Sequence, residues 1–446
     1  MKKCILNILV FLLISCVNNS ESETQFEGGT GTEENPYQIA TVEQLQQIGE
    51  EQNLDKHFLQ VKDIDASETA DFNDGDGFQP IGNQATPFTG SYNGNGFMIS
   101  ELTIHVFQKH SGMFGYVKDG LIENVHLENS GETTCTLEEK EITVNKKPNH
   151  SKATDDIIII EDIYGGGWLV GFNDGGTIRN SSVVGDYNNR YLQLTHTGGV
   201  VGFNMGLIEN SRTDGQIVGR GFVGGLAGGN SGEIIHSNAI GCTSTAAGRA
   251  GGLVGYNGGP TGEISNSYAS STILGGYGSG GLVAIQSGIV TESYSSGQVL
   301  AFGDASGGLV GINTGAVTNS YSISEIREIS ENGTEYIGGL VGINREDGYI
   351  AVSYYAGSLP INEELIVGGF TGLNYGEIYS AFWDSEKSGL SIGSGEGRIE
   401  GITGLGTDQM TGPAAETSMP LFSWGTTWKT TSGYPILMWQ EESSDE

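Results

Sequence analysis

The chain has 446 residues and a formal net charge of −34, from 20 lysines and arginines against 54 aspartates and glutamates. Such acidity repels a phosphate backbone, so nucleic acid is excluded as a partner. The 73 glycines argue against a helical bundle, because each glycine disfavours a helix interior by about 1 kcal/mol.

The N-terminus has the pattern of an export signal. Two lysines precede the apolar run of residues 5–14, which is too short to span a bilayer and has the length of a signal-peptide core. The run ends in Leu13-Ile14-Ser15-Cys16, which resembles a bacterial lipobox. The resemblance implies a signal peptide over residues 1–15, a lipid on Cys16 and a flexible tether over residues 16–34. It places the protein in the bacterial cell envelope, at the outer membrane or cell surface, with the lipid as its only membrane anchor.

The next segment predicts a short helix followed by strands. A threonine and glutamine capping box and one apolar face predict a helix over residues 41–48, ended by Gly49. Residues 57–61 and 98–104 have strand-like composition. The aspartate-rich run of residues 71–77 lacks the glutamate that an EF-hand needs at its twelfth position, so it predicts a turn.

Two cysteines, Cys135 and Cys242, remain once the signal peptide is removed and Cys16 carries a lipid. An exported compartment permits a bridge between them, and their spacing alone does not decide whether it forms. Neither cysteine lies in a CxxC pattern, and we predict no metal site and no cofactor.

Residues 110–383 repeat one pattern. Eight segments contain a form of Gly-Gly-Leu-Val-Gly-x-Asn, and most continue with a form of Gly-x-Ile-x-Asn-Ser-Tyr. A weaker copy at residues 112–124 lies two periods before the first, and the insertion 129–163 fills the gap. The asparagine slot recurs every 26 to 31 residues at Asn173, Asn204, Asn230, Asn257, Gln286, Asn313, Asn344 and Asn374.

This period and the short β-type runs predict an all-β fold, a parallel β-helix or β-solenoid with one coil per repeat. Each strand then pairs with its equivalent in the next coil, about 4.8 Å away. Glycines at fixed offsets, such as Gly255 and Gly311, are expected to hold corners with positive φ or close approaches between coils. The N-terminal helix would cap one end, and the tryptophan-rich residues 384–446 would form an aromatic C-terminal cap.

The repeat resembles the GLUG motif of bacterial surface proteins. The resemblance covers residues 110–383, and residues 35–109 together with the end of the chain are similar to the segments that flank the repeats in GLUG proteins. It implies a surface lipoprotein with β-solenoid repeats, in which residues 35–109 form the N-terminal cap and first coils. Some relatives carry an immunoglobulin-cleaving metalloprotease domain, but this sequence has no H-E-x-x-H pattern, so that activity is not inferred.

Equivalent positions on neighbouring coils stack, which brings side chains of one type together. The repeated asparagines are expected to form an internal ladder of amides. Tyr268, Tyr294, Tyr321 and Tyr354 would form a file of rings, which could dock sugar rings if exposed. Because strand alternation puts Tyr268 on the same face as the core residue Ile264, packing is the favoured role for the file.

Glu233 and Glu263 fill the same slot in neighbouring repeats. Two carboxylates about 5 Å apart fit a retaining glycosidase or a cation site, whereas a solvated rim is the simpler interpretation. The spacing brings no base and charge stabiliser beside them. We therefore favour a non-enzymatic adhesin or envelope binding or structural protein, with surface glycans or proteins as partners. The alternative is a polysaccharide lyase or glycoside hydrolase on the same scaffold.

Overall fold

The protein forms a parallel β-solenoid, as predicted. Strands in three sheets pair with the same position of the neighbouring coil, for example Val254 with Val283 and Asn257 with Gln286. The sheets have 24, ten and nine strands, and a separate two-stranded antiparallel sheet lies near the C-terminus. The structure is a computed structural model that describes residues 26–104, 109–129, 163–188, 194–245, 248–259, 261–275, 277–329, 336–362 and 365–440.

The nine-stranded sheet, called here the glycine sheet, contains the first glycines of each repeat. Its central position points into the core, as Ala250 and Ile337 do. Its strands are His110–Ser111, Gly165–Gly167, His196–Gly198, Phe222–Gly224, Arg249–Gly251, Gly278–Gly280, Ala305–Gly307, Tyr336–Gly338 and Ile366–Gly368.

The ten-stranded sheet, called here the asparagine sheet, follows after a tight turn at the Gly-Leu step. Its strands are Phe114–Lys118, Val170–Asp174, Val201–Asn204, Ala227–Asn230, Val254–Asn257, Val283–Gln286, Val310–Asn313, Val341–Asn344, Thr371–Asn374 and Ser394–Gly397.

The 24-stranded sheet, called here the wide sheet, completes each coil, usually with a short strand and then a longer one. The small antiparallel sheet pairs Trp428–Lys429 with Ile436–Leu437. The strands of the wide sheet are Tyr37–Ile39, His57–Gln60, Ile64–Asp65, Ser91–Asn93, Met98–Ser100, Leu121–Glu123, His126–Glu128, Thr177–Arg179, Ser182–Val184, Tyr187–Asn188, Leu207–Glu209, Arg212–Gly219, Glu233–Ile235, Asn238–Thr245, Glu263–Ser265, Tyr268–Gly275, Ile289–Thr291, Tyr294–Ala301, Ala316–Thr318, Tyr321–Ser322, Glu325–Glu328, Tyr349–Tyr355, Glu377–Asp384 and Ile402–Leu405.

The glycines of the asparagine sheet permit close packing rather than corners. Neither Gly255 nor Gly311 has a positive φ, so the corner half of that expectation is wrong for both. A Cβ on Gly255 would lie 2.7 Å from the carbonyl oxygen of Gly228 and from the amide nitrogen of Val223. Main chain therefore packs directly on main chain between the glycine and asparagine sheets, and a side chain has no room there.

The repeated corner is instead made by the residue before the serine of the second half-repeat, which is an asparagine in several coils and His236, Glu292 or Val352 in others. Asn266 has a φ of 49° and Asn319 a φ of 47°, a left-handed conformation that asparagine tolerates better than most residues. The following serine secures the corner. The backbone N–H of Ser267 donates to Oγ of Ser293 at 3.2 Å, and the hydroxyl of Ser267 donates to the carbonyl of Ser265 at 2.7 Å.

The core is built from columns of identical positions. Ile264 of one coil stacks on Val290 of the next, and both are fully buried. Beside this apolar column runs the predicted amide ladder. The amide of Asn204 donates to Asn230 at 2.8 Å, that of Asn230 to Asn257 at 2.7 Å, and that of Asn257 to Gln286 at 2.8 Å. A second run joins three more asparagines, Asn313, Asn344 and Asn374.

Short helices lie at the two ends of the solenoid. The first has Thr41 as its N-cap, which accepts from the backbone N–H of Gln44, and it buries Val42 and Leu45 in the main core. The N-terminal helix is thus confirmed, and the predicted turn at residues 71–77 begins with a kink that interrupts the helical segment Ser67–Gly75, where Asn73 and Asp74 have left-handed φ. The helices are Val42–Gln47, Glu51–Asn53, Ser67–Gly75, Ser385–Ser388, Thr407–Met410 and Ala414–Ser418.

The aromatic C-terminal cap has two parts. Trp383 belongs to the main core in the last coil. Trp428 belongs to a second core, formed where residues 406–440, called here the C-terminal tail, pack on the outside of the wide sheet. The tail therefore covers a flank of the solenoid, whereas Trp383 packs inside the main core.

Candidate ligand-binding surface

Tyr268, Tyr294, Tyr321 and Tyr354 form the predicted file of stacked rings. Successive ring centroids are 4.9, 5.0 and 4.9 Å apart, and the planes differ by 4 to 5°. The file follows from the in-register pairing of the long strands of the wide sheet. The geometry is that of rings stacked one per coil along the solenoid axis.

The tyrosines point outward, against the alternation argument made from the sequence. Ile264 is buried in the core, but the left-handed corner at Asn266 separates its strand from the strand that begins at Tyr268. Alternation restarts after the corner, so Ala269 faces the core and Tyr268 faces away from it. The assignment of Tyr268 to the core face is wrong, because the alternation of inward and outward side chains along one strand does not continue past a corner into the next strand.

The C-terminal tail covers one end of the file. Trp428 packs against the rings of Tyr321 and Tyr354 at 6.0 and 5.7 Å, and Trp439 packs against Tyr294 at 5.9 Å. Tyr321 and Tyr354 are consequently buried, whereas Tyr268 and Tyr294 keep part of their surface. A ligand can therefore reach only the Tyr268 end of the file as the described residues are arranged.

Hydrogen bonds fix the tail on the file. The hydroxyl of Tyr354 donates to the carbonyl of Pro435 at 2.6 Å, and the hydroxyl of Tyr321 donates to Oε1 of Gln440 at 3.1 Å. The indole N–H of Trp439 donates to the carbonyl of Glu292 at 2.8 Å. These bonds extend the contact as far as the coil of Tyr294.

A buried carboxylate anchors the base of the tail. Asp384 is fully buried at the end of the last long strand, and its Oδ2 accepts from the hydroxyls of Tyr434 and Thr407, each at 2.7 Å. Its Oδ1 accepts the backbone N–H groups of Glu386 and Lys387. The two oxygens of this carboxylate accept four hydrogen bonds in all, and two of these come from tail residues. The carboxylate therefore joins the tail to the solenoid.

The file tyrosines are hydrogen-bonding phenols at neutral pH. Burial raises the pKa of Tyr294 to about 12 and raises those of Tyr321 and Tyr354 further. Burial also raises the pKa of Tyr268, an effect that the nearby Arg212 charge opposes. Arg212 pairs in register with Asn238, which pairs with Tyr268, so a cation lies two strands from the open end of the file.

Glu233 and Glu263 pair in register on the wide sheet, as the repeat spacing predicts. Glu233 is exposed and Glu263 is half-buried. Their neighbours in the same column are Leu207 on one side and Ile289 on the other. The pair thus sits on the rim of the solenoid and apart from the tyrosine file.

A second aromatic row lies where the glycine and asparagine sheets meet. Tyr116 and Phe172 stack at 4.9 Å, and Phe172 stacks on Phe203 at 5.5 Å. His110 and His196 pack against these rings, and burial lowers their pKa values to about 4 and about 3. Both histidines are therefore neutral packing residues. The row could have been predicted from the sequence, because Tyr116, Phe172 and Phe203 fill the same slot of the repeat and pair in register.

Cys242 is buried and disulfide-bonded. The candidate partner, Cys135, and the predicted lipid site, Cys16, lie outside the described residues, as does the centre of the insertion 129–163.

Within the described ranges, no helix has the length and apolarity to cross a bilayer. The same ranges contain no group of three or more histidines, cysteines or acids placed to hold a metal ion.

Residues 246–274 match the family model described as "The GLUG motif". The matched segment contains one complete copy of the repeat, and the other copies occupy equivalent positions in the ladders. The chain thus contains a GLUG motif within a β-solenoid whose other coils repeat the same pattern.

Two curated relatives match parts of the chain. A "Putative Gly-rich membrane protein" of Evansella cellulosilytica is 35% identical over 126 residues, 28% of this chain and 14% of the relative. "Halomucin" of Haloquadratum walsbyi is 26% identical over 424 residues, 94% of this chain and 3% of the relative. The chain therefore spans a small fraction of the length of both. A solved structure described as "a putative immunoglobulin A1 protease" from Bacteroides ovatus aligns with a TM-score of 0.40 at 18% identity, over 93% of this chain and 95% of that one.

Proposed function

We propose that this GLUG-repeat β-solenoid is a lipid-anchored protein of the bacterial cell envelope that binds surface glycans as an adhesin or envelope component. The observation that carries the binding role is the file of stacked tyrosines, covered at one end by the tail and accessible at Tyr268. Tyrosine rings on a rigid surface can dock the apolar face of a sugar. The amide and serine ladders hold those rings in fixed positions, which lowers the entropy cost of binding.

Three features support the envelope location. The N-terminal segment has a signal-peptide pattern that ends at Cys16. The disulfide at Cys242 is typical of an oxidising, exported compartment. The two curated relatives carry names that refer to a membrane and to a mucin.

Replacement of Cys16 by serine tests the anchor. We expect the variant to lose incorporation of a labelled fatty acid and to move from the membrane fraction to the soluble fraction, because a diacyl anchor supplies the membrane affinity. The measurement is label incorporation and fractionation of cells that express the parent or the variant. Membrane retention of the variant, together with an unlabelled parent, would rule out the anchor.

A glycan panel tests the binding role. We expect the parent protein to retain at least one oligosaccharide, and Tyr268→Ala to weaken that binding by about tenfold, the effect of one lost ring contact. Tyr379→Ala is the matched control, because Tyr379 is an exposed tyrosine on another part of the wide sheet. Equal binding by the parent and Tyr268→Ala would contradict a role of the tyrosine file in glycan binding.

A further inference from the structure

The stacking of the file leaves one open ring face. Tyr294 lies between Tyr268 and Tyr321, and Tyr321 lies between Tyr294 and Tyr354, so the faces of these two rings are covered by their neighbours. On Tyr268, one face meets Tyr294 and the other looks towards the preceding coil. The position opposite it there is Asn238, which is a short side chain where a further tyrosine would continue the file.

The next residue in this column is a cation. Arg212 pairs in register with Asn238, which pairs with Tyr268. Strands lie roughly 4.8 Å apart, so the Arg212 and Tyr268 backbones are separated by about 9.6 Å, which is room for one ring at the stacking distance from each. Arg212 is exposed and makes no ion pair with the described residues.

The surroundings of this gap are polar. His236 and Asn266 hold the left-handed corner positions two residues before Asn238 and Tyr268. With Asn238, these residues put an imidazole and two amides at the strand and corner positions next to the gap, and such groups can exchange hydrogen bonds with hydroxyls. An aromatic side chain from a protein partner would make little use of them, so the chemistry favours a sugar.

We infer that the gap over Asn238 is a subsite for one acidic sugar ring, stacked on Tyr268 with its carboxylate on Arg212. The ligand class is a glycan that contains uronic acid. This inference rests on the proposed glycan-binding function and names its ligand. The guest ring takes the place of a fifth tyrosine, and the guanidinium accounts for the preference for a charged sugar.

The test compares tetragalacturonate with its fully methyl-esterified form by calorimetry, at physiological salt where the other charges of the protein are largely screened. The ester has the same rings and no carboxylate. We expect the acid to bind about five- to tenfold more tightly than the ester, and Arg212→Gln to remove that difference. Arg327→Gln, a change of an exposed arginine elsewhere on the wide sheet, should preserve it.

Filling the gap is the second arm. Asn238→Tyr should abolish binding of both oligosaccharides, because the new ring occupies the subsite, while the melting temperature stays near that of the parent. Ile240→Tyr, which adds the same bulk two residues along the strand at an exposed position, should bind like the parent.

The outcomes separate the inference from the proposed function. Parent-like binding by Asn238→Tyr would overturn the subsite and leave glycan binding intact. Equal affinity of the parent for the acid and the ester would overturn the assignment of Arg212. Absence of binding to every member of the glycan panel, with capture of aromatic peptides instead, would overturn both.

Discussion

Gly255→Val is expected to lower the free energy of unfolding by about 3 kcal/mol or more, the upper range for overpacking. Its Cβ would lie 2.7 Å from two backbone atoms of the neighbouring coil, Gly228 O and Val223 N. Main-chain atoms cannot rotate away as a side chain can, so the glycine and asparagine sheets must separate locally. Denaturant unfolding followed by circular dichroism measures the change.

The control for this prediction is Ser270→Val. Ser270 lies half-exposed on the outward face of the wide sheet, between Ile240 and Ser296 in register. A β-branched residue suits such a position, so we expect a change within about 0.5 kcal/mol. Equal midpoints for Gly255→Val and Ser270→Val would contradict the close packing of the two sheets.

Asn257→Leu is expected to cost about 3 to 5 kcal/mol, from several lost hydrogen bonds and the buried partners left unsatisfied. The amide of Asn257 donates to Gln286 at 2.8 Å and to the carbonyl of Gly262 at 3.3 Å, and its oxygen accepts from Asn230 at 2.7 Å. Leucine has the same number of side-chain heavy atoms and the same branching at Cγ, so the substitution creates no cavity and removes the amide bonds of the ladder. The measurement is again the free energy of unfolding.

Asn257→Gln is the rescue variant for the ladder. A glutamine already fills the equivalent slot at Gln286, where its oxygen accepts from Asn257. We expect Asn257→Gln to recover at least half of the loss seen with leucine. If the glutamine and leucine variants were equally destabilised, the amide bonds would not be the source of the effect.

The ladders were predictable because they depend only on spacing. A slot that recurs once per coil must stack on itself in a solenoid, and the asparagines and tyrosines do so. The pairing of Glu233 with Glu263 follows from the same rule. These inferences need the period and the fold, and no knowledge of where the chain turns.

The corners were not predictable in the same way. Both glycine and asparagine adopt positive φ, so the pattern could not say that Asn266 makes the corner while Gly255 makes a close contact. That choice decides the direction of the side chains after it. The outward position of Tyr268, and with it the candidate site, therefore depended on a feature that only the structure supplies.

The position of the C-terminal tail could not be predicted from the sequence either. Its tryptophans predicted an aromatic cap, but either the end or a flank of the solenoid could receive them. The decisive contacts join residues far apart in the chain, such as Trp439 with Glu292 and Tyr434 with Asp384. They bury Tyr321 and Tyr354, which reduces four candidate binding tyrosines to the two at the open end.

The choice between a binding protein and an enzyme is tested most directly by incubating the purified protein with acidic polysaccharide and measuring retention and product release together. Our account predicts retention that depends on Tyr268 and Arg212, with no new reducing ends or unsaturated sugars over time. Time-dependent release of oligosaccharides that is lost in Glu233→Gln or Glu263→Gln would contradict it and would assign the protein to the lyases or hydrolases.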